Sequence, residues 1–152
     1  MKTLAQLLHQ KDNLCSILLE HIRLPENQPS LEPAFSLIVS LARDLSEDFY
    51  PFLSKFSKVI FSIVLTSKDT EVIEKGFKCY AYLLKYLRRC VSKNLPKQLK
   101  LFAPLLDPKR KSYVVIFACE AFEVVTGKYS KDHPKAFLKY VFNILLEKNS
   151  EV

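Results

Sequence analysis

Apolar residues recur at close to the 3.6-residue spacing of an α-helix through nearly all of the 152-residue chain, and the interruptions fall at residues that end or restart helices. Residues 3–22 carry Leu4, Leu7, Leu8, Leu14, Leu18 and Ile22 and admit a split near Asp12. RLPENQPS is a polar, proline-bearing connector, after which Ser30 is placed to cap a helix through Leu45 with Ala34, Ile38, Leu41 and Leu45 inward. LARDLSEDFYPFL then stops one helix on an acidic knot and restarts another. Ser46 or Asp48 is placed as its cap, and Pro51 falls in the first turn, where a missing amide leaves no bond unmade. That helix runs to about Leu65 with Phe52, Phe56, Val59, Ile60 and Ile63 on one stripe.

The pattern carries the next helix from a cap at Asp69 to about Lys93, with Ile73, Phe77, Tyr80, Leu84, Leu87 and Val91 inward. NLPKQLKLFAPLL reads as a shorter helix. DPKRK supplies a cap at Asp107 and a proline at the first helical position, and SYVVIFACEAFEVVTG ends at Gly127 as a left-handed C-cap. A final helix follows Asp132 and Pro134, with Phe137, Tyr140, Val141, Ile144 and Leu145 apolar.

Residues 49–88 and 95–127 read as one unit repeated: a helix, a short turn bearing Asp, then a second helix. The spacing of about 40 residues is that of helical-pair solenoids. HEAT repeats often place Asp or Asp-Pro in the inter-helix turn and V-R-x-x-A in the second helix. Here Val72 pairs with Gly76 and Val114 with Ala118 at the small position, while Ile73 and Val115 fill the Arg slot. The expected fold is therefore all-α, an α-α superhelix of antiparallel helix pairs of HEAT-like or armadillo type, with about seven helices in one helical-repeat domain over residues 1–152. A plain helical bundle accounts for the same periodicity. The apolar run FLKYVFNILL favours the solenoid, because a terminal unit with a greasy outer face expects a neighbour, which makes the chain a fragment of a longer array.

Composition agrees with this reading: 49% hydrophobic and 26% charged residues describe a folding chain, and two glycines argue against a turn-rich β fold or a phosphate-cradling loop. No apolar run approaches the roughly 18 to 20 residues that span a bilayer, and MKTLAQLLHQKD is too short and polar for a signal peptide. An intracellular chain without membrane association is expected. Cys15, Cys79, Cys90 and Cys119 have no metal-ligand spacing and read as reduced, packed thiols.

Charge changes the picture more. Residues 1–74 hold seven Lys/Arg against ten Asp/Glu, residues 75–119 eleven against one, and residues 120–152 five against five, so the net +7 arises in the middle segment. A positive field concentrated in this way attracts polyanions. On the outward face of the Asp69 helix lie Lys75, Lys78, Tyr82, Lys85 and Arg89. Arg88, Lys93, Lys97 and Lys100 extend the field, and Lys109, Arg110 and Lys111 add to it. Lys and Arg neutralise phosphates, and Tyr82 offers a ring on which an unpaired base can stack. A solvated helix face, or a rim complementary to an acidic protein, is the competing reading. No RNA-binding signature is present to support sequence-specific readout.

Catalytic constellations are not evident. His9 and His21 lie on the first amphipathic region and His133 beside a helix start. Asp44, Glu47 and Asp48 form the densest carboxylate cluster, and capping explains it better than a metal does. GxSxG, HExxH and Walker-type loops are missing. No enzyme, cofactor or small-molecule substrate is expected.

LARDLSEDFYPFL, then KGFKCYAYLLKYLRR, then LLDPKRKSYVVIFACEAFEVV occur in an order and spacing that resemble the N-terminal region of small-subunit processome component 20, the down-regulated in metastasis protein family. The likeness covers roughly residues 30–127, and LARDL with DFYP and YLLKYLRR are its most specific parts. The resemblance implies a much longer, non-enzymatic HEAT-repeat scaffold of ribosome biogenesis in the nucleus and nucleolus. It implies partners of pre-ribosomal RNA or the small nucleolar ribonucleoprotein particle, and other processome proteins. The alternative is a HEAT-type adaptor that binds an acidic protein without RNA.

Overall fold

The computed structural model describes residues 2–24, 29–107, 109–132, 134–135 and 138–139, and among these the secondary structure is helix and turn with no strand. The helices are α1 (Lys2–Arg23), α2 (Leu31–Leu45), α3 (Tyr50–Thr66), α4 (Thr70–Tyr86), α5 (Arg88–Lys93), α6 (Leu95–Phe102) and α7 (Ser112–Asp132), with 3-10 turns at Ser46–Phe49 and Ala103–Leu106. Five of them, α1 to α4 and α7, have fifteen residues or more.

The apolar stripes do form the core. Ala34, Ile38, Leu41 and Leu45 of α2, Phe56, Val59 and Ile60 of α3, and Ile73, Phe77, Tyr80 and Leu84 of α4 are all buried, as are Leu87 and Val91. Phe49 stacks on Phe56 with ring centroids 5.3 Å apart, and Phe61 meets Tyr80 edge-on at 4.7 Å, the aromatic geometries that the ring quadrupole favours. Gly76 is buried where α4 crosses α3. A β-carbon there would stand 2.8 Å from the Val64 Cγ2, so the absent side chain sets the distance between the two helices.

Helix α1 packs on α2 and α3. Helix α4 packs on α2, α3 and α7, while α6 touches α3 and the turn after α6 packs on α7. Consecutive α2 and α3 share little contact. Two rows result, α1–α3–α6 and α2–α4–α7; across them α1 meets α2 and α3 meets α4, and the turn at Ala103–Leu106 joins α6 to α7.

Several boundaries differ from expectation, for local reasons. Asp69 caps α4, its carboxylate accepting from the Glu71 amide at 2.9 Å, and Pro51 occupies the first turn of α3. Ser30 makes no capping bond, since its hydroxyl meets His21 Nε2 at 2.7 Å. Neither Ser46 nor Asp48 caps α3. The knot is a 3-10 turn entered through Ser46 at φ 50°, and Asp48 pairs with Lys11 of α1. Helix α1 is continuous through Asp12 and exposes Leu4 and Leu14.

The expected helix from 69 to 93 breaks at Leu87, whose amide closes α4 by donating to the Leu83 carbonyl at 2.9 Å. Asp107 caps a turn by accepting from the Lys109 amide at 2.9 Å, and α7 begins only at Ser112. It then runs through Gly127, which has no positive φ, to Asp132. Most of the final helix expected after Pro134, Phe137 included, lies outside the described residues.

The segment Leu31–Thr66 reaches a mean hydropathy of 1.2 over 18 residues, the level of a membrane span, contrary to the expectation that no run approaches one. The turn at Ser46–Phe49 divides it, and its apolar side chains supply the core against α1 and α4. Core helices have this composition for that reason.

Candidate functional site

The twelve cationic and aromatic candidates fall into distinct surroundings. At the start of α4, Lys75 is 28% exposed and its ammonium reaches Glu32 of α2 and Glu71 of its own helix at 2.5 and 2.6 Å. Its hydrogen bond to Glu32, then that to Glu71, holds Lys75 above the usual lysine value. Lys78 pairs with Glu74 one turn back, which likewise raises it. These two cations are matched by carboxylates, and the first half of the outward stripe carries little free charge.

The second half differs. Tyr82 is 45% exposed and stacks on Tyr86 with centroids 6.2 Å apart and ring planes 20° from parallel. The Lys85 ammonium lies 5.8 Å from the Tyr82 centroid, within range of the attraction between a cation and an aromatic face. Arg88 and Arg89 follow at the start of α5, both exposed. Together with Lys85 and Tyr86 they line one wall of a hollow of about 350 Å3 whose other wall is Leu45 to Asp48. The acidic knot therefore faces the arginines. Lys93 is exposed at the end of α5.

Lys97 and Lys100 stand apart from this surface. Both line a hollow of about 500 Å3 with Ser54, Lys58 and Leu101, on the row that holds α3 and α6. Lys109, Arg110 and Lys111 are exposed in the turn before α7, with the Lys111 ammonium 5.7 Å from the Tyr113 ring. Residues of these surroundings that were not singled out in the sequence include Tyr86 and Lys58. Tyr86 was detectable as the ring one turn beyond Tyr82, and Lys58 lies on the exposed face of α3 opposite its apolar stripe.

A hollow of about 770 Å3 lies where α1 ends and α4 begins, walled in part by Ile22, Leu31, Val59, Ile63 and Val72. Its one carboxylate, Asp69, is engaged in the α4 cap. Among the described residues no three His, Cys, Asp or Glu side chains come together as metal ligands. In the acidic cluster, Asp44 pairs with Arg43 and Asp48 with Lys11. His21 bonds Ser30, His9 is exposed, and His133 lies outside the described residues. Cys15 and Cys79 are buried, Cys90 half-buried and Cys119 exposed; burial pushes the Cys15 thiol up to about 11 and raises that of Cys79.

No family model and no solved structure matches the chain. Two curated proteins do. U3 small nucleolar RNA-associated protein 20 of Saccharomyces cerevisiae is 28% identical over 148 residues, which are 95% of this chain and 6% of that protein. Its namesake in Schizosaccharomyces pombe is 26% identical over 149 residues, 97% of this chain and again 6% of the relative. The chain thus spans a small part of the length of these relatives. Over nearly its whole extent it is similar to U3 small nucleolar RNA-associated protein 20, the small-subunit processome component that LARDL, DFYP and YLLKYLRR resemble.

Proposed function

We propose that the chain is a non-enzymatic scaffold segment acting in ribosome biogenesis, in the nucleus and nucleolus, beside pre-ribosomal RNA and other processome proteins. The observation that carries this reading is the similarity of 95% of the chain to a protein named for its association with U3 small nucleolar RNA. The packing supports an extended architecture: the pairs α1–α2 and α3–α4, with α6 joined to α7 through the turn after α6 and like helices adjacent in two rows, suit a stacked α-hairpin array of HEAT type. In such an array each unit touches only its neighbours and long surfaces are presented to partners.

On this reading the RNA-facing surface centres on Tyr82, Lys85, Arg88 and Arg89 rather than on Lys75 and Lys78, whose charges are already matched. Exposed cations neutralise backbone phosphates, and the Tyr82 face accepts an unpaired base. The surface reads charge and shape, not base sequence.

Binding of a structured RNA is measured across a salt series with the wild type and with Lys85→Glu/Arg89→Glu. The expected result is a loss of about tenfold or more and a shallower salt slope. Absent binding, or binding unchanged by the reversal, sinks direct RNA contact by this surface. In pull-downs, recovery of partners that survives nuclease treatment indicates the adaptor for an acidic protein instead.

A further inference from the structure

Charge matching is uneven over the molecule, and cations without a described ion pair also gather on the other row. Lys58 of α3 and Lys97 and Lys100 of α6 converge on the hollow of about 500 Å3 that Ser54 and Leu101 complete. All three lysines are exposed, and among the described residues no carboxylate lines the hollow. Among the described residues the ion pairs involve Lys11, Arg43, Lys75 and Lys78, and none of these three. Lys97 and Lys100 lie one turn apart on the same face of α6, and contact between α3 and α6 brings Lys58 to them. Folding therefore gathers three like charges from two elements around one concavity. Their mutual repulsion acts within a Debye length of about 8–10 Å, and an anion held between them relieves it.

We propose that this hollow is a second RNA contact, holding the phosphate backbone on the α3–α6 row, separate from the Tyr82–Arg89 surface. The inference rests on the reading of the chain as an RNA-contacting scaffold. The lining favours phosphate over an acidic protein. An ammonium acts on phosphate as a compact point charge, and Lys58, Lys97 and Lys100 present three such charges to one concavity. Among the described residues its lining also has none of the aromatic anchors that dominate protein interfaces, Leu101 being the apolar residue there. The Ser54 hydroxyl adds a neutral donor of the kind that phosphate oxygens accept. Contacts of this sort position a backbone and carry no base specificity.

The test compares the full chain with Lys58→Gln/Lys97→Gln/Lys100→Gln, using fluorescence anisotropy of a labelled RNA hairpin across a salt series and of a labelled polyglutamate peptide. Circular dichroism confirms folding, and Lys58→Arg/Lys97→Arg/Lys100→Arg tests whether charge suffices. The expected result is an RNA affinity lower by about tenfold or more at low salt, a slope of log affinity on log salt shallower by about two to three, and near wild-type binding by the arginine variant. Lys75→Gln/Lys78→Gln, which removes matched cations, should bind as the wild type does. If the triple glutamine variant keeps wild-type RNA affinity while Lys85→Glu/Arg89→Glu loses it, the hollow is not a contact and the scaffold reading stands. If the wild type binds no RNA, both fall. Loss of peptide binding with RNA binding intact overturns the proposal in favour of an acidic protein.

Discussion

An alanine β-carbon at Gly76 would stand 2.8 Å from a methyl of Val64, itself 1% exposed and held by the α3 backbone. Valine in a helix has one strongly preferred rotamer, so the clash is relieved by moving helices rather than a side chain. Overpacking of this kind costs about 1–3 kcal/mol, and it outweighs the roughly 1 kcal/mol that alanine gains over glycine in helix propensity. At Gly127 nothing lies within 4 Å of the added carbon and φ is not positive, leaving the propensity gain alone. Gly76→Ala is therefore expected to lower the urea midpoint and Gly127→Ala to raise stability by about 0.5–1 kcal/mol. A stabilised Gly76→Ala would show that α3 and α4 are not in close approach. The sequence marked Gly76 as a small position from its place four residues after Val72. It could not mark Gly127 as an interior residue, because a glycine at the close of an apolar-periodic run is the ordinary sign of a helix end.

At the scale of elements, what was legible is what local chemistry decides. Asp69 is extended at φ −88°, ψ 114° and its carboxylate holds the Glu71 amide, an arrangement that the Asp before a helical stripe announces. Pro51 and the apolar stripes of α2, α3 and α4 were legible for the same reason. The break at Leu87 was not, since no Pro or Gly marks it and the inward stripe continues across it through Leu84, Leu87 and Val91. The two turns on either side of α3 give a paired prediction. Asp69→Ala removes a cap and should cost about 1 kcal/mol. Ser46 has φ 50° and ψ −117°, a region that strains side-chain-bearing residues by about 1–3 kcal/mol, so Ser46→Gly should stabilise. Thermal melts of both variants check this, and a Ser46→Gly variant less stable than the wild type would contradict the turn geometry.

Across the whole molecule, folding redistributes the charge that the sequence concentrates. Residues 75–119 are strongly basic as a segment, yet Glu32 of α2 comes to rest against Lys75, while Lys58, from an acidic segment, joins Lys97 and Lys100. A count along the chain sees neither event, because both depend on which helices become neighbours.

Burial has a similar whole-molecule consequence for pH. Cys79 and Tyr80, adjacent on α4, are 3% and 1% exposed, and Cys15 is fully buried. Burial raises the Cys15 thiol from 9.0 to about 11, with Asp12 adding to the effect. It also raises Cys79 above 9.0 and Tyr80 above 10.0, the latter opposed by a hydrogen bond with Ser57. Each group keeps its proton in the fold at a pH where the unfolded chain releases it. The unfolded state then binds fewer protons, so stability falls as pH rises. Their contribution is complete below pH 9 and is lost progressively from about pH 9 for the thiols and pH 10 for Tyr80. Urea unfolding under reducing conditions from neutral pH to pH 11 should show this decline. Tyr80→Phe should be less stable at neutral pH by about 1 kcal/mol through the lost hydrogen bond, but should decline less steeply above pH 10. A wild-type stability that stays level to pH 11 would mean that water reaches these groups, and that α4 does not run through the middle of the core.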